Sequence, residues 1–338
     1  MTSTQIATAL PRDRRVLGVQ TWTVAAVALA ALALAYFGFA VTSPYRLDIA
    51  MTFTMYSLLA LGMYVPLFLG GNIDLAYNAY YAAGAYSVAL VGARTHLPLL
   101  VAVPIGALIA AVLALVVGLA TTHLSGFHLA LATMLAGLAV YRWISSTGAE
   151  ITGGADGIGG IPRLEVLGVE FDRELLVAVG FLAVWLVALC LSRFRRALPG
   201  LSVRLNRASP AAAEAAGVPT RSMKLMSLMS GAAIASLGGT FIALMNQFIL
   251  ADSFSHDIVF LILFLPMLGG IASPWGAVIG AALLVLLNEA SSLLEGPGPL
   301  IFGGASLLIL ILLPGGLLGI AATTWSTWAR RSRGSFDD

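Results

Sequence analysis

The sequence predicts an all-α polytopic membrane protein with about ten transmembrane or partly re-entrant helices. Three observations carry that prediction. Of 338 residues, 59% are hydrophobic and only 10% charged, with a mean hydropathy of +0.94; no water-soluble domain of this length could hide so much apolar surface in its core. The apolar residues fall into runs of the length that crosses a bilayer, about 20 residues for a helix. A single long charged interruption, Arg193 to Lys224, divides those runs.

The chain opens with a polar lead, residues 1–20, in which Arg12, Arg14 and Arg15 precede an apolar run from Thr21 to Val41. A secretory signal has an apolar region of only about 7–15 residues. The run therefore reads as a retained first helix that enters from the cytoplasm. Further spans are expected at Leu47 to Leu69, Leu75 to Val91, Leu97 to Leu119, Phe127 to Ile144, Glu174 to Leu191, Met223 to Leu250, Asp257 to Leu268, Trp275 to Leu294 and Pro299 to Ala321. Leu75 to Val91, Phe127 to Ile144 and Asp257 to Leu268 are short enough to be tilted, broken or re-entrant. The membrane domain thus covers residues 21–322 and includes the charged loop 193–224; residues 323–338 form a tail.

Charge decides the orientation. Arg193, Arg195, Arg196, Arg204, Arg207, Arg221 and Lys224 face one acid, Glu214, across the charged loop, and such a loop belongs in the cytoplasm by the positive-inside rule. Threading the spans alternately puts both termini on that side, with Arg330, Arg331 and Arg333 in the tail, and Arg46, Arg94, Arg142, Arg163 and Arg173 on the other. An even total with five spans before Glu174 satisfies the rule. A 5+5 arrangement also permits an inverted repeat, since an odd number of crossings reverses the second unit. Its trace is Gly106-Ala-Leu-Ile-Ala-Ala-Val-Leu in the fourth span against Gly276-Ala-Val-Ile-Gly-Ala-Ala-Leu in the ninth; alanine-leucine helices also look alike by chance.

Inside the charged loop a short helix is expected between Ser209 and Gly217. Ser209 can accept a hydrogen bond from a first-turn amide, Pro210 suits the first helical position, and Ala211, Ala212, Ala213, Ala215 and Ala216 are strong helix formers. Gly217 stops the helix, with Pro219 just beyond. A slim alanine ridge flanked by arginines fits a groove of another protein; the alternative is a solvated linker. In the next span Ser227, Gly231, Ala235 and Gly239 recur every fourth residue, a stripe that lets another helix approach closely, preferably one of the same chain.

Three glycine-rich stretches interrupt the spans: Gly70-Gly71-Asn72-Ile73-Asp74-Leu75-Ala76-Tyr77, Thr152-Gly153-Gly154-Ala155-Asp156-Gly157-Ile158 and Leu268-Gly269-Gly270-Ile271-Ala272-Ser273. The first breaks a helix at membrane depth, which is tolerated only where protein or a cavity surrounds it. The new helix N-terminus carries partial positive charge and can hold a carboxylate, yet Asp74 stands there and either caps the helix or faces a pathway. The second stretch is no phosphate cradle, because a P-loop needs Gly-Lys-Ser/Thr and the only lysine, Lys224, follows Met223. It reads as tight turns outside the cytoplasm. Cys190 is alone, so no disulfide forms within the chain.

Polar side chains within apolar segments are the remaining pathway candidates: Asn78, Tyr81, His128, Thr133, Asn246, Gln247, Asn288 and Glu289. Amides and hydroxyls in spans also serve simply as hydrogen bonds between helices. His123 and His128 are five apart and do not share a face as a metal pair would; they read as an interfacial and a packed histidine, and no metal site is assigned. Glu289, near the outer end of its helix, is explained by snorkelling or a salt bridge as well as by function.

Gly200, Arg204 and Arg207 followed by Ala212-Ala213-Glu214-Ala215-Ala216-Gly217 resemble the coupling-helix motif of permease subunits of ABC importers, with Ala208, Ser209 and Pro210 where relatives usually carry acidic or amide side chains. Together with the three glycine-rich stretches, and with Trp275-Gly276-Ala277-Val278-Ile279-Gly280-Ala281, the motif resembles the permeases of branched-chain amino-acid ABC importers, the longer of their two types, from about Gly70 to Gly319. Asp74 replaces the small hydroxyl residue usual in that family. The resemblance implies a subunit of a bacterial inner-membrane importer that does no chemistry and binds no cofactor. ATP and Mg would be used by cytoplasmic ATPase subunits gripping the Ala212 to Gly217 helix; a second homologous permease would complete the path, giving a heterodimer. An extracytoplasmic binding protein would deliver branched-chain or other aliphatic amino acids, or related small polar molecules, the Gly153 stretch aiding its docking. No nucleic acid is expected. The alternative is a secondary transporter driven by an ion gradient, which should place paired charges in mid-span; Asp74 alone approaches this.

Overall fold

A computed structural model describes residues 14–292 except 96, 167, 271 and 272, together with residue 304. The tail and the span expected at Pro299 to Ala321 lie outside the described residues. Helix α1 (Arg14–Gly38) begins seven residues ahead of the apolar run at Thr21, because the arginines and the residues after them do not break a helix. Helix α2 (Pro44–Tyr64) starts at Ser43, whose side chain accepts from Arg46 N with Pro44 at the first position, and it runs into a wider π-helical turn, Val65–Gly70. The chain then stays irregular through Ala76 before α3 (Tyr77–Arg94). Helices α4 (Ala102–Ala120) and α5 (Gly126–Arg142) follow, then a short α6 (Ala149–Thr152).

Three two-residue strands come next, β1 (Ile158–Gly159), β2 (Glu165–Val166) and β3 (Val169–Glu170). Helix α7 (Arg173–Phe194) leads to α8 (Leu198–Ala208) and α9 (Pro210–Ala215). Helix α10 (Thr220–Asn246) ends where Gln247 turns to a φ of +55°. This is four residues short of the expected Leu250, because Phe248–Ile249 (β4) instead pairs antiparallel with β1. Helices α11 (Asp257–Gly269) and α12 (Pro274–Ser292) complete the described chain.

Seven described helices are long and apolar enough to cross a membrane, and α11 is a shorter apolar one. Helix α3 is richer in tyrosine and glycine and runs parallel to α10: Tyr77 approaches Gly231, and Gly84 approaches Ser236. Helix α10 is the centre of the bundle, flanked by α2, α3 and α4. Its stripe makes that position available. A Cβ on Gly239 would sit 1.9 Å from Tyr81 O, and one on Gly62 of α2 only 2.8 Å from Gly231 O, so the backbones approach as closely as small residues permit. Ser227 lies against Gly70, and Ala235 against Gly62. The stripe therefore meets helices of this chain.

Helices α3 and α4 form a hairpin through Gly84 and Gly106, and α11 and α12 form another through Gly269 and Gly276. The two segments compared for a repeat, in α4 and α12, are each the second helix of such a pair, but Gly106 meets the middle of α3 while Gly276 meets the last residue of α11.

The two ends of the bundle differ in charge. The 22 residues of α7 separate Arg173 from the charged loop by about 33 Å at 1.5 Å per residue. Arg173 pairs with Asp48 at 3.4 Å, Arg163 with Glu170 and Asp172, and Arg94 binds the carbonyls of Glu150 and Ile151, all at the end away from α8 and α9. Lys224 at the other end donates to the carbonyls of Thr121 and Leu124, at 3.0 and 2.6 Å, closing the turn between α4 and α5.

Candidate functional site

The α8–α9 corner is built from local rules. The Ser209 side chain accepts from Ala212 N at 3.3 Å, and Gly217, at a φ of +77°, lets Val218 N return to Ala213 O at 2.9 Å. Of the alanines only Ala213 is buried; Ala211, Ala212, Ala215 and Ala216 are exposed beside Glu214. Glu214 accepts from the Thr220 hydroxyl at 3.0 Å, which ties α9 to the first turn of α10.

Helix α8 was not foreseen. Its signal was present: Gly200, Val203 and Arg207 share one helical face, and the first two are buried while Arg204 is exposed. Arg207 donates to the carbonyl oxygen of Phe68, with its guanidinium 6.0 Å from the Phe68 ring. That carbonyl lies in the π-helical turn ending α2, where the regular ladder stops. Gly71, at a φ of +70°, has no room for a side chain because Arg207 Cγ would lie 2.6 Å from its Cβ. The charged corner is therefore fastened to the break that precedes Asp74.

At that break Asp74 is fully buried. One carboxylate oxygen accepts from Ala76 N at 3.0 Å and the other from the Tyr80 hydroxyl at 3.1 Å. The acid thus turns onto its own chain as a cap would. Thr133 of α5, also buried, accepts from Leu75 N at 2.9 Å and donates to Ala130 O. Asn78 donates to Gly137 O and Phe254 O, while its buried Oδ1 has no hydrogen-bond partner. Tyr81 donates to the Met55 sulfur at 3.1 Å and packs on Phe254. Asp74, Asn78, Tyr81 and Thr133 thus gather where α3 meets α5 and α2.

Two of the pathway candidates do not join them. His128 is exposed beside Phe127 rather than packed, because the inward face of α5 is taken by Leu129, Ala130 and Thr133. Asn246 is the exposed last residue of α10 rather than a mid-span group. It lines a cleft of about 330 Å³ with Asp48, Met51, Thr52 and Met55 of α2, Arg173 of α7, and Phe241, Ile242 and Met245 of α10. Sequence reasoning missed this cleft, since its walls come from three separate helices. Gln247 lines a neighbouring cavity of about 520 Å³. Glu289 accepts a hydrogen bond from the Tyr45 hydroxyl. Gly153, Gly154, Gly157 and Gly160 all take positive φ in tight turns leading into and out of β1.

The family described as "Branched-chain amino acid transport system / permease component" matches residues 45–322. The high-affinity branched-chain amino acid transport system permease protein LivM of Escherichia coli (strain K12) is 31% identical over 295 residues, 80% of this chain and 69% of the relative. The protein of the same name from Salmonella typhimurium (strain LT2) is 29% identical over the same shares. No solved structure matches the chain. A polytopic helical bundle with a charged corner at one end, matched over most of its length by one transport family, belongs to that family: the chain is a permease component of the branched-chain amino-acid transport type.

Proposed function

We propose that this permease is one half of the translocation path of an ATP-driven importer in a bacterial inner membrane, with both termini and the α8–α9 corner in the cytoplasm. Its cargo is branched-chain or other aliphatic amino acids, delivered by an extracytoplasmic binding protein. A second, homologous permease forms the other half. ATP and Mg act in cytoplasmic ATPase subunits, and this chain contributes movement rather than chemistry. Residues 1–20 and 323–338 are the cytoplasmic flanks of the 21–322 permease domain, whose loop 193–224 carries the coupling element.

The observation that carries this reading is the shape and seating of α9. A six-residue helix is too short to persist alone, yet it is capped at both ends, anchored through Ala213, and presents a bare alanine ridge. Force applied to that ridge would reach the membrane domain through two contacts: Glu214 to Thr220 on α10, and Arg207 of α8 to the Phe68 carbonyl at the end of α2. Such a link couples two sites through an element with two arrangements.

The test is uptake in vesicles holding the whole transporter. Replacing Glu214 to Gly217 with a bulky flexible tract should leave the permease in the membrane and abolish ATP-driven uptake. Uptake that continues unchanged, or that an ion gradient drives without the ATPase, overturns the reading.

A further inference from the structure

The cleft between α2, α7 and α10 combines two features. At its mouth Asp48 and Arg173 stand 3.4 Å apart, each side chain 61% exposed. Its wall is Met51, Met55, Phe241 and Met245, all buried, with Ile242 beside them. An ion pair so open to water holds itself together weakly, so each partner is free to exchange the other for a ligand of the same charge. The wall is mostly unbranched thioether, which adapts to side chains of different shape. A volume of about 330 Å³ lies within the range of small-molecule sites, about 300–1,000 Å³.

We propose that this cleft is a binding site for a zwitterionic α-amino acid with an apolar side chain. Arg173 receives the carboxylate, Asp48 the ammonium group, and the methionine wall the side chain. The charge complementarity is mutual: a zwitterion brings one group of each sign, as the mouth does, and can replace each partner of the pair, whereas a lipid tail or another apolar helix would add nothing to either charge. Thr52 and Asn246 supply neutral polar atoms at the rim. Met55 forms the floor, and behind its sulfur stands the Tyr81 hydroxyl, the next polar group toward Asn78. The cleft thus opens at the end away from α9, with the buried Tyr81 hydroxyl behind its Met55 floor. This site rests on the transport function proposed above and adds to it the residues that would meet the cargo first.

The experiment places Asn246→Cys in a Cys190→Ala chain, assembled in the whole transporter in right-side-out vesicles without binding protein, and follows labelling by a membrane-impermeant maleimide. Saturating leucine should slow labelling about tenfold, while leucinamide, which lacks the free carboxylate, and 4-methylpentanoate, which lacks the ammonium group, should not. Adding Arg173→Gln or Asp48→Asn should remove the protection by leucine, read as the ratio of labelling rates with and without leucine in each variant. Equal protection by all three compounds would reduce the cleft to an apolar hole and overturn the assignment. So would labelling indifferent to leucine, or no labelling because a subunit, lipid or residues 293–338 cover the cysteine. Leucine uptake by vesicles holding the unsubstituted transporter, given ATP inside and binding protein outside, separates the two ideas: uptake there without protection in the cysteine chain removes this site alone, and absence of uptake there removes the transport function.

Discussion

Asp74 shows how much a single buried acid depends on its neighbours. A carboxylate enclosed by protein is costly unless hydrogen bonds replace its water, and Ala76 N and the Tyr80 hydroxyl do so. Asp74→Leu leaves both donors unpaired and should lower stability by about 1–3 kcal/mol, seen as a lower melting temperature of the purified permease in detergent. Asp74→Asn keeps an acceptor for Ala76 N and should retain most of that stability and most of the uptake. Loss of uptake by a stably folded Asp74→Asn protein would instead show that the charge itself serves transport.

Among elements, α10 is the clearest case of sequence spacing becoming packing. Its stripe brings the backbones of α2 and α3 so near that no side chain fits between them. In Gly239→Val the new atoms would meet the Tyr81 carbonyl, which is backbone and cannot rotate away. A cost of at least about 1–3 kcal/mol is expected, measured as loss of monodisperse protein after extraction. Gly38→Ala, at the end of α1 with nothing within 4 Å, should extract as the parent does. The π-helical turn of α2 belongs at this scale too. It presents the Phe68 carbonyl sideways, and Arg207 takes it, so a feature that looks like a defect in one helix is the fastening point of another.

At the scale of the molecule, the charged corner and the clefts lie at opposite ends of one bundle. In a Cys190→Ala chain, Ala211→Cys on α9 and Asp156→Cys in the glycine-rich turns are both exposed. An impermeant maleimide added to intact cells should label Asp156→Cys at once and Ala211→Cys only after the membrane is permeabilised. Reversed labelling would place α9 outside and end the coupling scheme.

Much of the bundle was legible because its signals are local. Helix length, capping at Ser209, termination at Gly217 and small residues every fourth position act between neighbours in the chain, and burial in lipid or protein rewards the same apolar runs either way. Helix α8 and the end of α10 were harder: a face shared by Gly200, Val203 and Arg207 is faint in eleven residues, and β4 replaces the last turn of α10 only because β1 lies within reach. His128 was misjudged as packed because an apolar span does not say which of its faces meets protein.

What the amino-acid order determined by itself was therefore the class of the protein, the positions of most of its described long helices and the charged corner for which a partner is proposed, since each follows from periodicity or charge along a short stretch. What only the tertiary structure decided was contact between distant segments. It turned Asp74 onto Ala76 and Tyr80, set Arg207 against the Phe68 carbonyl, and brought Asp48, Arg173 and the methionines of two helices around one cleft. Such contacts depend on the register in which helices pack, and that register is chosen by the whole bundle at once.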